Sequence, residues 1–243
     1  MITSVDLATP ARAMAIGAHP DDIEFGAGAT LAKWAAAGCD ILHVVCTDGS
    51  KGSWNAEQDP AELVVTRMRE QRDASRALGG HGDAIFLGYT DGELESGLHC
   101  RAQVAAAIRR FRPEVVLGHD PWKRYRLHPD HRHAGHLAVE GVVTARDPLF
   151  FPEQNLRHHR PSALLLFEAD EPDHVENVDG FAERKIAALM AHRSQLRSTM
   201  HIEDPSDGAA VDAFRGEVLR ELAAQGALAK VAQGEAFKAL TDL

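Results

Sequence analysis

The chain has 243 residues, 36 acidic against 26 basic, for a formal net charge of −10, with 44% hydrophobic and 26% charged residues. These are ordinary values for a globular protein, and the length suffices to bury a large core without disulfides. The acidic balance argues against a nucleic-acid binder, which needs positive charge to meet phosphates, and no stretch approaches the ~20 consecutive apolar residues that cross a bilayer. Met1 to Arg12 has no basic-then-apolar signal pattern, and Cys39, Cys46 and Cys100 lack CxxC spacing, so the cysteines read as small hydrophobes in a reducing cytoplasm.

In chain order, Ala13–Ala18 is a short apolar run of buried-strand type, followed by an Ala-rich helix over Phe25–Ala37 that Gly38 stops. Trp34 on that helix reads as core. Ile41–Cys46 is a second strand, Thr47–Pro60 a polar loop, and Ala61–Leu78 a charged helix ended by Gly79-Gly80. Ala84–Leu87 is a third strand, Gln103–Phe111 a helix, and Glu114–Leu117 a fourth strand. Asp130–Ala145 is helical, Ala163–Phe167 is a strand, and Gly180–Ser198 is again helical. Glu203–Ala209 is a polar break before an Ala-rich helical C-terminal segment.

Strands that alternate with helices at this spacing, and that read as unbroken apolar runs, predict a parallel sheet buried on both faces. The fold class expected is α/β, a Rossmann-like three-layer sandwich with a mostly parallel sheet, in one domain over residues 1–243. Ligands of such sheets bind at the carboxyl ends of the strands, so chemistry is expected in the segments that follow them.

Two of those segments are unusual. His19-Pro20-Asp21-Asp22, with Glu24, follows the first strand and opens the first helix, where Pro20 suits an initial position. Its spacing lets His19 and Asp22 face one point as an imidazole and a carboxylate suited to Zn²⁺, with Asp21 between them. The same acidic residues would equally complement the helix dipole. After the fourth strand come His119 and Asp120, then His128-Pro129-Asp130-His131, which puts two imidazoles on one face of a helix start. Asp130 and Asp120 are candidate partners for the second nitrogen of a ligating histidine. A solvated polar loop, rich in histidine with His133 and His136, is the plain alternative.

Taken together the segments supply three ligands, His19, Asp22 and His131, which leave an open position as catalytic zinc sites do. Asp21 as a base and His128 as a spare imidazole complete a hydrolytic set. Gly26-x-Gly28 invites a dinucleotide reading, but GxGxxG is absent. Trp54 and Trp122 lie in loops where they would serve either as sugar-stacking walls or as oligomer contacts. His192, with Gln195 one turn later, either reaches the site or sits on the surface, and His158-His159 reads as a solvated loop.

These motifs resemble the PIG-L (LmbE-like) N-acetylglucosaminyl deacetylases. The resemblance rests on Ala18 through Gly28, Cys46-Thr47-Asp48-Gly49, Arg67-x-x-Glu70, Phe86-Leu87-Gly88 with Asp91-Gly92, His128 through Arg132, Lys185 through Gln195, and Gly234 through Phe237. It implies Zn²⁺, or another divalent transition metal, on His19, Asp22 and His131, with Asp21 as the general base. It further implies His128 as the oxyanion donor, Asp130 as the residue that orients and charges His128, and Arg67 and Asp91 as sugar contacts. The implied activity is hydrolytic removal of acetate from a small acetamido sugar, by a homo-oligomer (a trimer or hexamer) with neither nucleic-acid nor membrane partners. An amidase of larger thiol-conjugate amides and a non-catalytic sugar-binding or metal-sensing relative are the rival readings. The chain departs from the family pattern in two places: Thr47–Gly52 lacks the usual Glu, and Arg126, beside Tyr125, stands where some members carry a mobile Tyr.

Overall fold

A computed structural model describes residues 1–243. One eight-stranded sheet runs through the molecule in the order β1-β7-β8-β6-β5-β2-β3-β4. The strands are β1 (Ser4–Val5), β2 (Arg12–Gly17), β3 (Asp40–Thr47), β4 (Ala84–Tyr89), β5 (Val115–His119), β6 (Ala163–Phe167), β7 (His174–Asn177) and β8 (Gly234–Leu240). The helices are α1 (Asp22–Ala36), α2 (Pro60–Leu78), α3 (Leu98–Phe111), α4 (Pro129–Arg146), α5 (Ala182–Ala191) and α6 (Gly208–Ala227). Strands β2 to β6 are mutually parallel, and β8 runs antiparallel between β6 and β7. None of the helices is long and apolar enough to cross a membrane. The expected α/β sandwich with a mostly parallel sheet is present.

The period-two alternation of each central strand divides its side chains between two cores. Met14 and Ile16 of β2 join Val44, Val116 and Leu166 beneath α3 and α4, whereas Ala13 and Ala15 join Val45, Leu117 and Phe167 beneath α1, α2 and α5. Trp34 is fully buried in the second core, as expected.

Three expectations need correction. The helix expected over Gly180–Ser198 stops at Ala191, and a 3₁₀ turn covers Arg193–Gln195, because His192 and Gln195 leave the helical path to bury their polar ends. The C-terminal segment does form a helix, α6, but then returns as β8. Strands β7 and β1 were not expected. In β7 the residues His174, Val175 and Glu176 are all buried, with His174 and Glu176 paired at 2.9 Å, so the strand carries no apolar alternation to read.

The strand order reverses beside β2: the chain goes from β2 to β3 and β4 on one side, then crosses to β5 and β6 on the other. The loops after β2 and after β5 therefore open side by side at the switch point where such sheets bind ligands. Close packing holds the second loop there. A Cβ at Gly118 would lie 2.7 Å from the Ala138 Cβ, and one at Gly135 would lie 2.6 Å from the His119 carbonyl oxygen, so α4 lies directly against the end of β5. Gly135→Ala is expected to destabilise the fold by about 1–3 kcal/mol through overpacking, read as a lower urea midpoint with an unchanged slope.

Helix α1 is kinked at Ala27, where φ is −148°, and restarts with free N–H groups. Glu235 of β8 caps them: its carboxylate accepts from Ala29 N at 3.0 Å and Thr30 N at 2.7 Å. Lys185 of α5 donates to Glu235 and to the Phe25 carbonyl, each at 2.7 Å, inside a fully enclosed space. This cap joins β8 and α5 to the helix that starts in the candidate site.

Candidate metal centre

The turn from β2 into α1 delivers His19, Asp21 and Asp22. Asp21 takes the left-handed backbone conformation, φ 106°, which a side chain with a Cβ rarely adopts. Such strain concentrates at functional sites, where the surroundings hold it in place. Here Gln71 accepts from the Asp21 N–H at 3.1 Å and donates to the buried Glu24 at 2.8 Å, while Glu24 faces His192 Nε2 at 3.3 Å. His192 therefore reaches the back of the site rather than the surface, and Gln195 lines the cavity in front of it.

The end of β5 delivers His119, and the start of α4 delivers His128, Asp130 and His131. The structure brings His19, Asp22 and His131 together. His19 Nδ1 is 3.2 Å from His131 Nε2, His131 Nε2 is 3.2 Å from Asp22 Oδ1, and His19 Nδ1 is 3.4 Å from Asp22 Oδ2. The two Asp22 contacts end on different carboxylate oxygens, and each separation is near the roughly 3.3–3.4 Å that a tetrahedral ion with bonds of about 2.0–2.1 Å sets between its donors. The triangle borders an open cavity of about 460 Å³ whose lining includes Asp21, Arg67, Asp91, His128 and Lys51, with Phe25 as its one apolar side chain.

The electrostatics call for a cation at the same place. Burial opposes a charge on His19, but Asp130, Asp22 and Asp91 surround it and push its pKa up to about 12. Burial likewise opposes ionisation of Asp22, yet His131 and His119 hold it well below the usual carboxylate range. Burial raises the Asp21 pKa to about 6 against the pull of Arg67, which lies 3.4 Å away.

The hydrogen bonds of Asp130 go elsewhere than to His128. Its Oδ2 is 3.1 Å from His19 Nε2 and accepts from Gly92 N at 2.7 Å, and its Oδ1 accepts from Leu94 N at 3.2 Å. It therefore orients the ring of His19, the usual task of a carboxylate behind a ligating histidine. His128 has instead an edge-to-face contact with His19 and a stacked one with His131. Burial, and then the charges on His19 and His131, lower its pKa despite Asp130, so His128 is a neutral donor rather than the cation expected from the sequence. Asp120 closes its own turn by accepting from Trp122 N at 2.9 Å and is no histidine partner.

Arg67 and Asp91 both line the cavity, and both also hold the loops around it. Arg67 donates to the Pro20 carbonyl at 2.5 Å and to the Gly49 carbonyl at 3.0 Å. Gly49 has φ 66°, and a Cβ there would lie 2.8 Å from the guanidinium. Asp91 accepts from Lys51 N at 3.1 Å and lies 3.2 Å from His19 Nε2. Trp54 and Trp122 are exposed and absent from the cavity lining.

Two contributors escaped the sequence. His119 stands in the segment expected after the fourth strand but had no role there; the structure makes it the last residue of β5, its Nε2 3.2 Å from Asp22 Oδ2 and its ring stacked on His131 with centroids 4.4 Å apart. Glu168, directly after β6, lies 3.0 Å from His119 Nδ1 and accepts from Arg126 Nη1 at 2.7 Å. His119 and Arg126 hold the Glu168 pKa at about 2 against the effect of burial. The signal for Glu168 was positional, a carboxylate at the carboxyl end of a sheet strand.

Residues 14–142 match the family described as PIG-L: GlcNAc-PI de-N-acetylase. The chain is 33% identical over 188 residues to the diacetylchitobiose deacetylase of Thermococcus kodakarensis, which covers 76% of this chain and 70% of that one. It is 32% identical over 232 residues to the 1D-myo-inositol 2-acetamido-2-deoxy-alpha-D-glucopyranoside deacetylase of Mycobacteroides abscessus, covering 77% and 82% respectively. The solved N,N'-diacetylchitobiose deacetylase of Pyrococcus horikoshii, in complex with its inhibitor MPG, superposes with a TM-score of 0.85 at 28% identity over 96% of this chain and 84% of that one. By family match, relatives and fold, the chain belongs to the PIG-L family.

Proposed function

We propose that the protein is a metal-dependent hydrolase that removes the N-acetyl group from an N-acetylglucosamine-containing sugar, free or in a small conjugate, releasing acetate and an amine. The observation that carries this reading is the triangle of His19, Asp22 and His131 opening onto a polar cavity beside Asp21 and His128. The diacetylchitobiose and inositol-sugar deacetylases among its relatives support the same substrate class.

His19, Asp22 and His131 would hold the metal, Zn²⁺ in the first instance, and when bound it supplies Lewis acidity and lowers the pKa of water at the site. Asp21 takes the proton from the attacking water. With an ordinary pKa raised to about 6 it is ionised at neutral pH and yet basic enough to accept. His128, at the mouth of the cavity, donates to the carbonyl oxygen as charge gathers there. Asp21 then passes its proton to the departing nitrogen. Arg67, Lys51, Asp91 and Gln195 offer charged and amide partners to a polyhydroxylated substrate, and Phe25 offers one apolar face.

The protein is expected to release acetate from N-acetylglucosamine or N,N'-diacetylchitobiose and to stop when the metal is chelated. Metal-replete protein inactive on acetamido sugars but active on thiol-conjugate amides would replace this reading with the amidase one. Three free, buried cysteines suit the reducing cytoplasm we assign to it.

The pH profile follows from the base. Asp21 must be ionised, so kcat/KM falls as pH drops through its pKa. That acid limb is expected at or below about pH 6, since a cation at the adjoining site can only lower it. Arg67→Met removes the charge that opposes the effect of burial, so the limb should move to higher pH. A limb unmoved in that variant counts against Asp21 as the titrating base.

A further inference from the structure

Two carboxylates stand behind the triangle. Asp130 faces His19; Glu168 faces His119, whose other nitrogen faces Asp22. The three groups form a chain, with Glu168 Oε2 3.0 Å from His119 Nδ1 and His119 Nε2 3.2 Å from Asp22 Oδ2. The His119 ring is almost wholly buried, wedged edge-on against Phe167 and stacked on His131 at an interplanar angle of 15°. It can turn neither away from Asp22 nor away from Glu168. Glu168 holds this place at a cost, because its backbone is in the left-handed region at φ 56°.

Arg126 adds a second reason for Glu168 to be there. Its guanidinium side chain is 5% exposed, and Nη1 lies 3.2 Å from His131 Nδ1 while donating to Glu168. Its Nε and Nη2 have no partner. Glu168 is therefore the one carboxylate that offsets a buried positive charge placed directly behind a metal-holding histidine.

We propose that Glu168 is a positioning residue for the metal-holding set, acting through His119 on Asp22 and offsetting Arg126 behind His131. The inference rests on the reading that His19, Asp22 and His131 hold the metal. Without Glu168 the His119 ring loses the carboxylate that holds it from the Nδ1 side while Nε2 faces Asp22, and the Arg126 charge stands unopposed next to the site. Both changes weaken cation binding.

The test is the Zn²⁺ dissociation constant of purified protein, measured by competition with a chromogenic chelator. Glu168→Gly and Glu168→Gln are expected to bind Zn²⁺ about 10–100-fold more weakly than wild type. Both variants leave Arg126 without its carboxylate, but glycine is at ease at φ 56°, so metal-free Glu168→Gly is expected to melt no lower than metal-free Glu168→Gln. In a His119→Phe background, Glu168→Gln should cost less than it does alone, because the route through His119 is gone and only the unopposed Arg126 charge remains. Zn²⁺ affinity unchanged in both variants overturns the proposal, and so does a loss that is fully additive with His119→Phe. A rise in KM alone would make Glu168 a substrate contact and overturn it too. Wild-type protein that binds no Zn²⁺ overturns the underlying reading as well, and so is distinguishable from failure of the relay alone.

Discussion

Asp21→Asn is expected to lower kcat by about 10²–10⁴-fold, the usual worth of a positioned general base. The substitution preserves size and the hydrogen bond from the backbone N–H to Gln71. Asparagine also tolerates the left-handed conformation that position 21 requires, at φ 106°. Fold and bound metal should therefore survive, since Asp21 is not a corner of the triangle. The loss should fall on kcat rather than KM because proton transfer occurs only on the way to the transition state. Stopped acetate-release assays on metal-saturated protein check this, and a kcat within about tenfold of wild type would remove Asp21 from the role of base.

The second large effect lies away from the chemistry. Lys185→Met leaves the Glu235 carboxylate buried at 1% exposure beside its two backbone donors, with no cation. Breaking a buried ion pair from one side costs about 3–5 kcal/mol, because the remaining charge stays desolvated. In a chain of this size that lowers the melting temperature by about 6–20 °C. Glu235→Gln orphans the buried Lys185 in its turn, but the amide oxygen can still accept from Ala29 or Thr30 and Lys185 keeps the Phe25 carbonyl, so any smaller loss there measures the cap. A Lys185→Met protein that melts with wild type would show that the cap at the α1 kink does not need its counter-ion. Calorimetry of the two variants separates the cation from the cap.

What the sequence revealed depended on where polar groups sit. The central strands are buried on both faces, so β2, β3, β5 and β6 announce themselves as apolar runs. Strands β7 and β8 bury His174, Glu176 and Glu235 in mutual or backbone hydrogen bonds, and their charged letters conceal the strand. The convergence of His19, Asp22 and His131 was legible because each motif lies on the connection that leaves a strand flanking the switch point, where topology brings the two together.

The tasks of individual carboxylates were not legible. Asp130 is adjacent to His131 in sequence and close to His128, yet its bond goes to His19, 111 residues away. That choice is made by the loop containing Gly92 and Leu94, whose N–H groups fix the Asp130 side chain from the far side. Glu168 carries no motif and gains meaning only once β6 places it beside His119. Arg67 was expected as a sugar contact, and three-dimensional packing shows that it also ties the Pro20 and Gly49 carbonyls together beneath the base.

Everything proposed for the site depends on one ion shared by residues that lie 112 positions apart. Elemental analysis of purified wild type and His131→Ala, each dialysed against metal and then freed of excess, tests this most directly. Wild type should hold one divalent metal per chain and His131→Ala close to none, with both folded by circular dichroism. Equal metal content in the two proteins would contradict the shared site, whatever their activities.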